Sequence, residues 1–170
     1  MNPKPPQVLA GDTNVGMDLA LGSEWVVDAL STIRNRLAGS SLLIPPTVSE
    51  ELAWLAIHAK EAAEREAARG FLRRHRGWGF QLLHAVPLGD LYVSRVAERL
   101  RQAALLPVSE ANDARILAES AVLGCSILLT SDEHLRAIDF QRLNFELGSF
   151  ELTAPVIATP REIVQKFFRR

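Results

Sequence analysis

The sequence predicts an α/β fold, a three-layer α/β/α sandwich around a central, mainly parallel sheet of roughly five strands. Short, continuously apolar runs alternate along the chain with helical patterns, as expected for strands that are buried on both faces. The 170 residues, 48% of them hydrophobic, suffice for one well-filled core and are few for two. We therefore predict a single domain over residues 1–170, with a proline-rich flexible extension over residues 1–6.

Each predicted strand is an apolar run bounded by turn or helix signals. The five runs cover residues 7–10, 42–45, 81–86, 126–130 and 154–158. Between them, helical patterns cover residues 24–37, 47–57 continuing through 59–74, 88–104, 110–123, 132–138 and 161–168. Residues 140–153 fit either a hairpin or a loop.

Several predicted helices carry a recognisable start signal. Pro46 and Thr47 open one helix, Ser109 is placed to cap another, and Thr159 with Pro160 opens the last. Proline is tolerated at a first helical position because the N–H that it lacks would have no partner within the helix.

Four acidic residues occupy positions where a soluble fold normally has apolar or neutral side chains. Asp12 and Asp132 each follow the carboxyl end of a predicted strand. At 100° per residue, Glu51 falls with the apolar stripe of its helix, whereas Glu50 points to the opposite side. The same arithmetic turns Asp113 inward. Convergence of the four carboxylates on a cation would explain this pattern.

The pattern around Asp113 supports that interpretation. On the predicted helix 110–123, Asp113 shares the apolar face, and Arg115 and Glu119 are expected to project away from it. An inward carboxylate is costly unless it is paired, hydrogen-bonded or bound to a metal. The sequence places no Lys or Arg beside Glu51 or on the face of Asp113.

The predicted topology gives these acids a place to meet. In open parallel sheets, ligands bind beyond the carboxyl ends of the strands, where the strand order reverses. If the strands that precede Asp12 and Asp132 are neighbours, the flanking helices can bring Glu51 and Asp113 to the same point. Carboxylate oxygens and water suit Mg²⁺ or Mn²⁺, and the histidines lack the spacing of zinc ligands.

Each acid also has a purely structural interpretation. Asp132 is a natural helix N-cap, Asp113 lies in a first helical turn and favours the helix dipole, and Asp12 can begin a turn. Glu51 is the hardest to explain in this way, because it faces the core. The structural interpretation must hold for all four residues at once, so we favour a catalytic site.

These stretches resemble the PIN domain family of metal-dependent ribonucleases. The matching segments are residues 12–14 (DTN), 46–52 (PTVSEEL), 112–121 (NDARILAESA), 128–132 (LLTSD) and 159–164 (TPREIV). The resemblance implies a PIN-like domain in which Asp12, Glu51, Asp113 and Asp132 are both the catalytic and the metal-binding residues. It also implies supporting polar roles near that site for Asn14, Thr130 and Ser131.

The resemblance further implies a metal-dependent endoribonuclease that hydrolyses RNA phosphodiester bonds. Small bacterial members of this length include the VapC-like toxins of type II toxin–antitoxin pairs, which implies RNA as substrate, an antitoxin as partner and a homodimer. The alternative is a catalytically inactive RNA-binding or scaffold protein of the same fold. A phosphohydrolase with an aspartyl nucleophile would need a second Asp where Asn14 stands, and a receiver module would need a late lysine other than Lys166.

Composition adds little about partners. A formal net charge of −1 neither predicts nor excludes nucleic acid. Arg73, Arg74 and Arg76 are candidate contacts to the RNA backbone, because a guanidinium suits phosphate, although a solvated helix face explains them as well. Trp25, Trp54 and Trp78 are all expected to be packing residues, although Trp78, beside these arginines, could instead stack on a base.

The sequence also favours a compartment. Cys125 is the only cysteine, so no disulfide framework is possible, and a reducing cytoplasm fits. No stretch approaches 18 consecutive apolar residues, so insertion into a membrane is not expected.

Overall fold

The structure, a computed structural model, describes residues 6–168 and contains a five-stranded sheet, parallel throughout and flanked by helices. The predicted three-layer α/β/α class is therefore confirmed. The strands are β1 (Val8–Gly11), β2 (Ser41–Ile44), β3 (Phe80–Leu82), β4 (Ile127–Leu129) and β5 (Val156–Ala158), in the spatial order β3-β2-β1-β4-β5. Except for Pro6, the predicted flexible extension lies outside the described residues.

Helices connect the strands within the described residues. They are α1 (Thr13–Ala20), α2 (Glu24–Arg36), α3 (Pro46–His58), α4 (Ala62–Arg74), α5 (Pro87–Gln102), α6 (Ala111–Val122), α7 (Glu133–Arg136), α8 (Phe140–Gly148) and α9 (Pro160–Phe168). Within residues 6–168, no helix has the length and apolar character needed to cross a membrane.

The predicted strand 81–86 is too long. Pairing stops after Leu83, whose N–H donates to the carbonyl of Ile44 at 3.0 Å. The neighbouring strand β2 ends at Ile44, and α3 begins at Pro46. Residues 84–86 therefore have no adjacent strand with which to pair.

Two helices were not predicted. Helix α1 replaces the expected turn after Asp12, which caps it, and its Gly16 lowers the helix propensity that a sequence reading would detect. Helix α8 replaces the expected hairpin or loop, because Asp139 caps it and Leu143 and Leu147 are both buried four residues apart.

Two predicted helix boundaries also differ from the structure. The predicted continuous helix through residues 47–74 breaks after α3, where Arg69 donates to the carbonyl of Ala56 at 2.9 Å and so caps the helix end. Glu110, not Ser109, stands at the N-cap position of α6.

The strand order places the ends of β1 and β4 side by side. Strand β1 pairs with β2 on one side and with β4 on the other, so the order reverses between β1 and β4. Gly11 pairs in register with Leu129, and the N–H of Asp12 donates to the carbonyl of Leu129 at 3.0 Å. Helix α3 follows β2, α6 precedes β4, and these two helices pack against each other.

Candidate acidic site

Asp12 is held rigidly at the carboxyl end of β1. Its side chain is only 4% exposed. Its Oδ1 accepts from the N–H of Thr13 at 2.6 Å, and its Oδ2 accepts from the Thr130 hydroxyl at 2.7 Å and the Asn14 amide at 3.2 Å. Burial raises the pKa of Asp12, the hydrogen bonds from Thr130 and Thr13 oppose the rise, and the negative charges of Glu51 and Asp132 add to it.

Asp132 meets Asp12 through the same hydroxyl. The N–H of Asp132 donates to Thr130 Oγ1 at 3.0 Å. Asp132 Oδ1 accepts from the N–H groups of His134 at 2.7 Å and Leu135 at 3.3 Å, so Asp132 caps α7 as its structural interpretation predicted. That cap uses one carboxylate oxygen and leaves Oδ2 outside it.

Asn14 links the two strand ends from the other side. Its amide nitrogen donates to Asp12, and its Oδ1 accepts from the N–H of Ser131 at 3.1 Å. The three residues predicted as supporting polar groups, Asn14, Thr130 and Ser131, therefore all lie in one hydrogen-bonded network with Asp12.

Glu51 enters the cluster from α3. Its Oε2 accepts a short hydrogen bond from the Thr13 hydroxyl, and its Oε1 accepts from the Asn112 amide at 2.7 Å. Glu51 is half-buried and Glu50 is exposed, as the helical arithmetic predicted. Through Thr13 and Asn112, Glu51 is tied both to the residue after Asp12 and to the residue before Asp113.

Asp113 lies among other acids, and the pKa of its carboxyl is strongly raised. Burial raises the pKa of its carboxyl from the ordinary 3.8 to about 7, and the charges of Asp132, Asp12, Glu110 and Glu51 contribute in that order. Its Oδ2 is buried and has no hydrogen-bond partner among the described residues. The four predicted acids therefore lie close enough to repel one another, and Glu110 joins them.

Glu110 was not among the predicted site residues. This residue precedes Asp113 by three positions, so the two face the same side at the start of α6. This spacing of three residues is the sequence signal that could have identified Glu110.

The donor set fits a hard divalent cation by its chemistry, since it consists of carboxylate oxygens with one unpaired buried oxygen on Asp113. Within residues 6–168, however, no three His, Cys, Asp or Glu side chains stand in an arrangement that could hold a metal ion directly. Asp12 and Glu51 direct their oxygens to hydroxyl and amide donors instead. Ion binding would require these side chains to exchange some of those hydrogen bonds.

Comparisons with known proteins give structural matches only. No family model matches the sequence, and no curated protein matches it. One similar solved structure is a chain of VapBC2 from Rickettsia felis, in a complex bound to a DNA fragment from its promoter, with a TM-score of 0.61, 13% identity, and coverage of 90% of this chain and 98% of that one. Another is a chain of VapBC-1 from nontypeable Haemophilus influenzae, with a TM-score of 0.58, 16% identity, and coverage of 91% and 98%. The fold is PIN-like.

Glu119, which was expected to project away from the core of this PIN-like fold, is in fact buried, with 3% exposure. It accepts from the N–H of Thr47 at 3.0 Å and from the Thr47 hydroxyl at 2.8 Å. Arg115, also expected to point away, lies 3.5 Å from Glu119 and contacts Asp90 and Ser94 of α5. The prediction was wrong because α6 packs against both α3 and α5, so one apolar stripe does not define its buried surface.

The contact between Glu119 and Thr47 holds α3 in place. Thr47 lies in the first turn of α3, where backbone N–H groups have no partner within the helix, and Glu119 supplies that cap from another helix. Glu51 lies one turn further along α3 and contacts Asn112 of α6. Two polar contacts therefore connect helices α3 and α6, one between Glu119 and Thr47 and one between Asn112 and Glu51. Both contacts help to fix the positions of the acids on these helices.

The candidate RNA-binding arginines lie elsewhere. Arg73 and Arg74 occupy the last turn of α4, and Arg76 lies in the segment leading into β3, so all three are at the amino edge of the sheet. Arg74 lies 4.7 Å from the ring centroid of Trp78, which is half-buried and stacks on Phe71 at 5.9 Å. The structure does not bring this cluster to the acidic site.

Two tryptophans that were expected to be packing residues are exposed. Trp54 is 58% exposed and Trp25 is 47% exposed. Each lines a groove, of about 650 Å³ for Trp54 and about 540 Å³ for Trp25. For Trp54 the signal was present, because at 100° per residue it falls only about 40° from Glu50, on the outward side of α3.

We expect Glu119→Ala to destabilise the protein by about 2–3 kcal/mol, because it leaves Thr47 and the Arg115 guanidinium without their buried partner. Glu64→Ala, at an exposed position of α4, is the matched control and should change stability by less than about 0.5 kcal/mol. Urea unfolding measures both. Equal unfolding midpoints for the two variants would show that the contact between α3 and α6 does not depend on Glu119.

We also expect Asp113→Asn to raise the melting temperature of the metal-free protein at about pH 8. The pKa of Asp113 is raised in the folded state, so its contribution to stability falls as pH rises from the unfolded value of 3.8 to about 7 and is fully unfavourable above that. The difference between variant and wild type should therefore shrink toward pH 4.

Thermal melts in EDTA across this pH range test the expectation, with Asp28→Asn on the exposed face of α2 as the control. Added Mg²⁺ should raise the melting temperature of the wild type more than that of Asp113→Asn. A variant that melts at or below the wild type at about pH 8 would contradict the proposed crowding of charge at this site.

Proposed function

We propose that the protein is a metal-dependent endoribonuclease that hydrolyses RNA phosphodiester bonds. The observation that supports it best is the environment of Asp113. Burial and four other acids raise the pKa of its carboxyl, and no basic side chain is among the groups that shift it. A fold that crowds carboxylates in this way without an internal counter-charge is well suited to a bound cation.

Asp12, Glu51, Asp113 and Asp132 would hold one or two Mg²⁺ or Mn²⁺ ions. When bound, a divalent ion supplies Lewis acidity, which lowers the pKa of a water molecule and neutralises charge that develops on phosphate oxygens. All the proposed ligand atoms are carboxylate oxygens, which favours these hard ions over zinc.

The surrounding residues orient these acids. Thr130 and Asn14 fix the Asp12 carboxylate, and Thr13 and Asn112 hold Glu51 toward the cluster. Such prearranged hydrogen bonds keep ligands in place before an ion arrives. In the absence of a cation, the same negative charges would repel an RNA phosphate, so we infer that productive substrate binding depends on the metal.

We further propose that the protein is the toxin of a toxin–antitoxin pair, acts on RNA in the cytoplasm and forms a homodimer. The structural likeness to chains of VapBC complexes supports this proposal through the fold. The motif resemblance to PIN ribonucleases also supports it, because the four acids that the resemblance implies as site residues lie in one cluster. An antitoxin protein would then be the cognate partner.

One observation favours a second candidate, a catalytically inactive RNA-binding or scaffold protein of the same fold. Within the described part of the chain, no three potential ligands are gathered as they would be around an ion. A scaffold would keep the hydrogen bonds that now occupy Asp12 and Glu51. Metal titration separates the two candidates, because only the nuclease needs a cation site.

Purified protein should cleave RNA with Mg²⁺ or Mn²⁺ and stop when EDTA is added. Asp12→Asn and Glu51→Gln should each reduce the rate by more than about a hundredfold, beyond the loss typical of outer-shell residues. Glu50→Gln, the exposed neighbour on α3, should cleave like the wild type. RNA that stays intact across several substrates with fresh Mn²⁺, while the protein is folded, would favour the inactive scaffold.

Expression of the wild-type protein in a bacterial host should arrest growth, and expression of Asp12→Asn should not. Co-expression with the product of a small adjacent reading frame should restore growth and yield a stable complex on size-exclusion chromatography. Growth arrest that is equally strong with Asp12→Asn would mean that toxicity does not come from the acidic cluster.

A further inference from the structure

The two grooves that contain exposed tryptophans both adjoin the acidic cluster, but they differ in charge. We call them the Trp54 groove and the Trp25 groove. The Trp54 groove is lined by Glu50 and Glu51 and contains no basic side chain. The Trp25 groove is lined by Arg136 and Arg161 together with Asp18 and Glu162.

The negative charges of the acids are balanced by ion pairs to different extents in the two grooves. In the Trp25 groove, Glu162 is paired with Arg136 at 3.2 Å and also accepts from the N–H of Thr159 at 2.8 Å. Asp18 is half-buried, and burial raises the pKa of its carboxyl. In the Trp54 groove, neither Glu50 nor Glu51 makes an ion pair with a described residue.

The Trp25 groove begins at the acidic cluster itself. Ser131 lies in its wall, and the N–H of Ser131 donates to Asn14, which in turn donates to Asp12. Ser131 follows β4, and Thr159 directly follows β5. The wall of the groove is therefore formed at the carboxyl edge of the sheet, on the side of Asp132.

Trp25 and Arg161 form one unit in this groove. The Arg161 guanidinium lies 5.3 Å from the ring centroid of Trp25, and almost half of Trp25 is exposed. Arg161 makes no salt bridge with any residue in the range 6–168. An exposed aromatic ring beside an arginine without an acidic partner matches what single-stranded nucleic acid requires, since the ring can stack on a base and the guanidinium can contact a phosphate.

We propose that the Trp25 groove binds single-stranded RNA next to the acidic cluster, with an unpaired base stacked on Trp25 and the adjacent phosphate contacted by Arg161. The inference rests on the proposed function for the identity of the strand as substrate. The strand runs along the side of Ser131 and avoids the Trp54 groove, where Glu50 and Glu51 repel phosphate.

Fluorescence anisotropy with a labelled, short single-stranded RNA of mixed sequence tests this path. The titrations are carried out with Ca²⁺ and again with EDTA, which sample the acidic cluster with and without a cation. Trp25→Ala should weaken RNA binding about tenfold, because a stacked base is lost. Trp25→Phe should keep most of the affinity, since it retains an aromatic face.

Arg161→Ala should lower the salt dependence of binding, with the slope of log K against log salt reduced by about 0.7, as expected for one lost phosphate contact on a single strand. Trp54→Ala and Arg95→Ala are the matched controls, because each replaces an exposed residue of the same type outside the Trp25 groove. Both variants should bind RNA like the wild type. Circular dichroism and thermal melting establish that each variant is folded.

With Ca²⁺ present, RNA binding by Trp25→Ala and Arg161→Ala that equals the wild type would overturn the proposal, as would a loss of binding in Trp54→Ala instead, or a wild type that does not bind RNA. The first two outcomes leave the nuclease proposal intact if the wild type still cleaves RNA. Conversely, binding that depends on Trp25 and Arg161 in a protein that never cleaves RNA would support the groove and reject the nuclease.

Discussion

One buried hydroxyl, that of Thr130, joins the ends of the two central strands. It donates to the Asp12 carboxylate and accepts from the N–H of Asp132. Because β1 and β4 are adjacent and parallel, the chain leaves both strands at the same edge, and this hydroxyl fixes how the two exits are oriented. The helices add Glu51 and Asp113 to a cluster whose centre is already set by the sheet.

The sequence predicted most of this arrangement because its signals are local and periodic. Apolar runs marked the strands, and the rotation of an ideal helix distinguished Glu51 from Glu50. Helices α1 and α8 were missed because a glycine or an apparent turn weakened the pattern of a short segment. Glu119 was misplaced because its burial depends on how α6 packs against two other helices, which the sequence of α6 alone does not encode.

The acidic cluster is a local source of instability within a well-packed fold. Burial of Asp113 and the like charges around it raise the free energy of the folded state when its carboxyl is ionised, a situation common at functional sites. The buried contact between Glu119 and Thr47 acts in the opposite direction, since it ties α3 to α6 below the cluster. The positions of Glu51 and Asp113 thus depend on a polar contact outside the site.

The edges of the sheet limit how copies of this chain can associate. Strands β3 and β5, which form the two edges, have only three residues each. Edges this short offer few unpaired backbone groups to a strand of another molecule. Assembly by continuing the sheet from one subunit into the next is therefore disfavoured, and subunits that associate would meet through their helices.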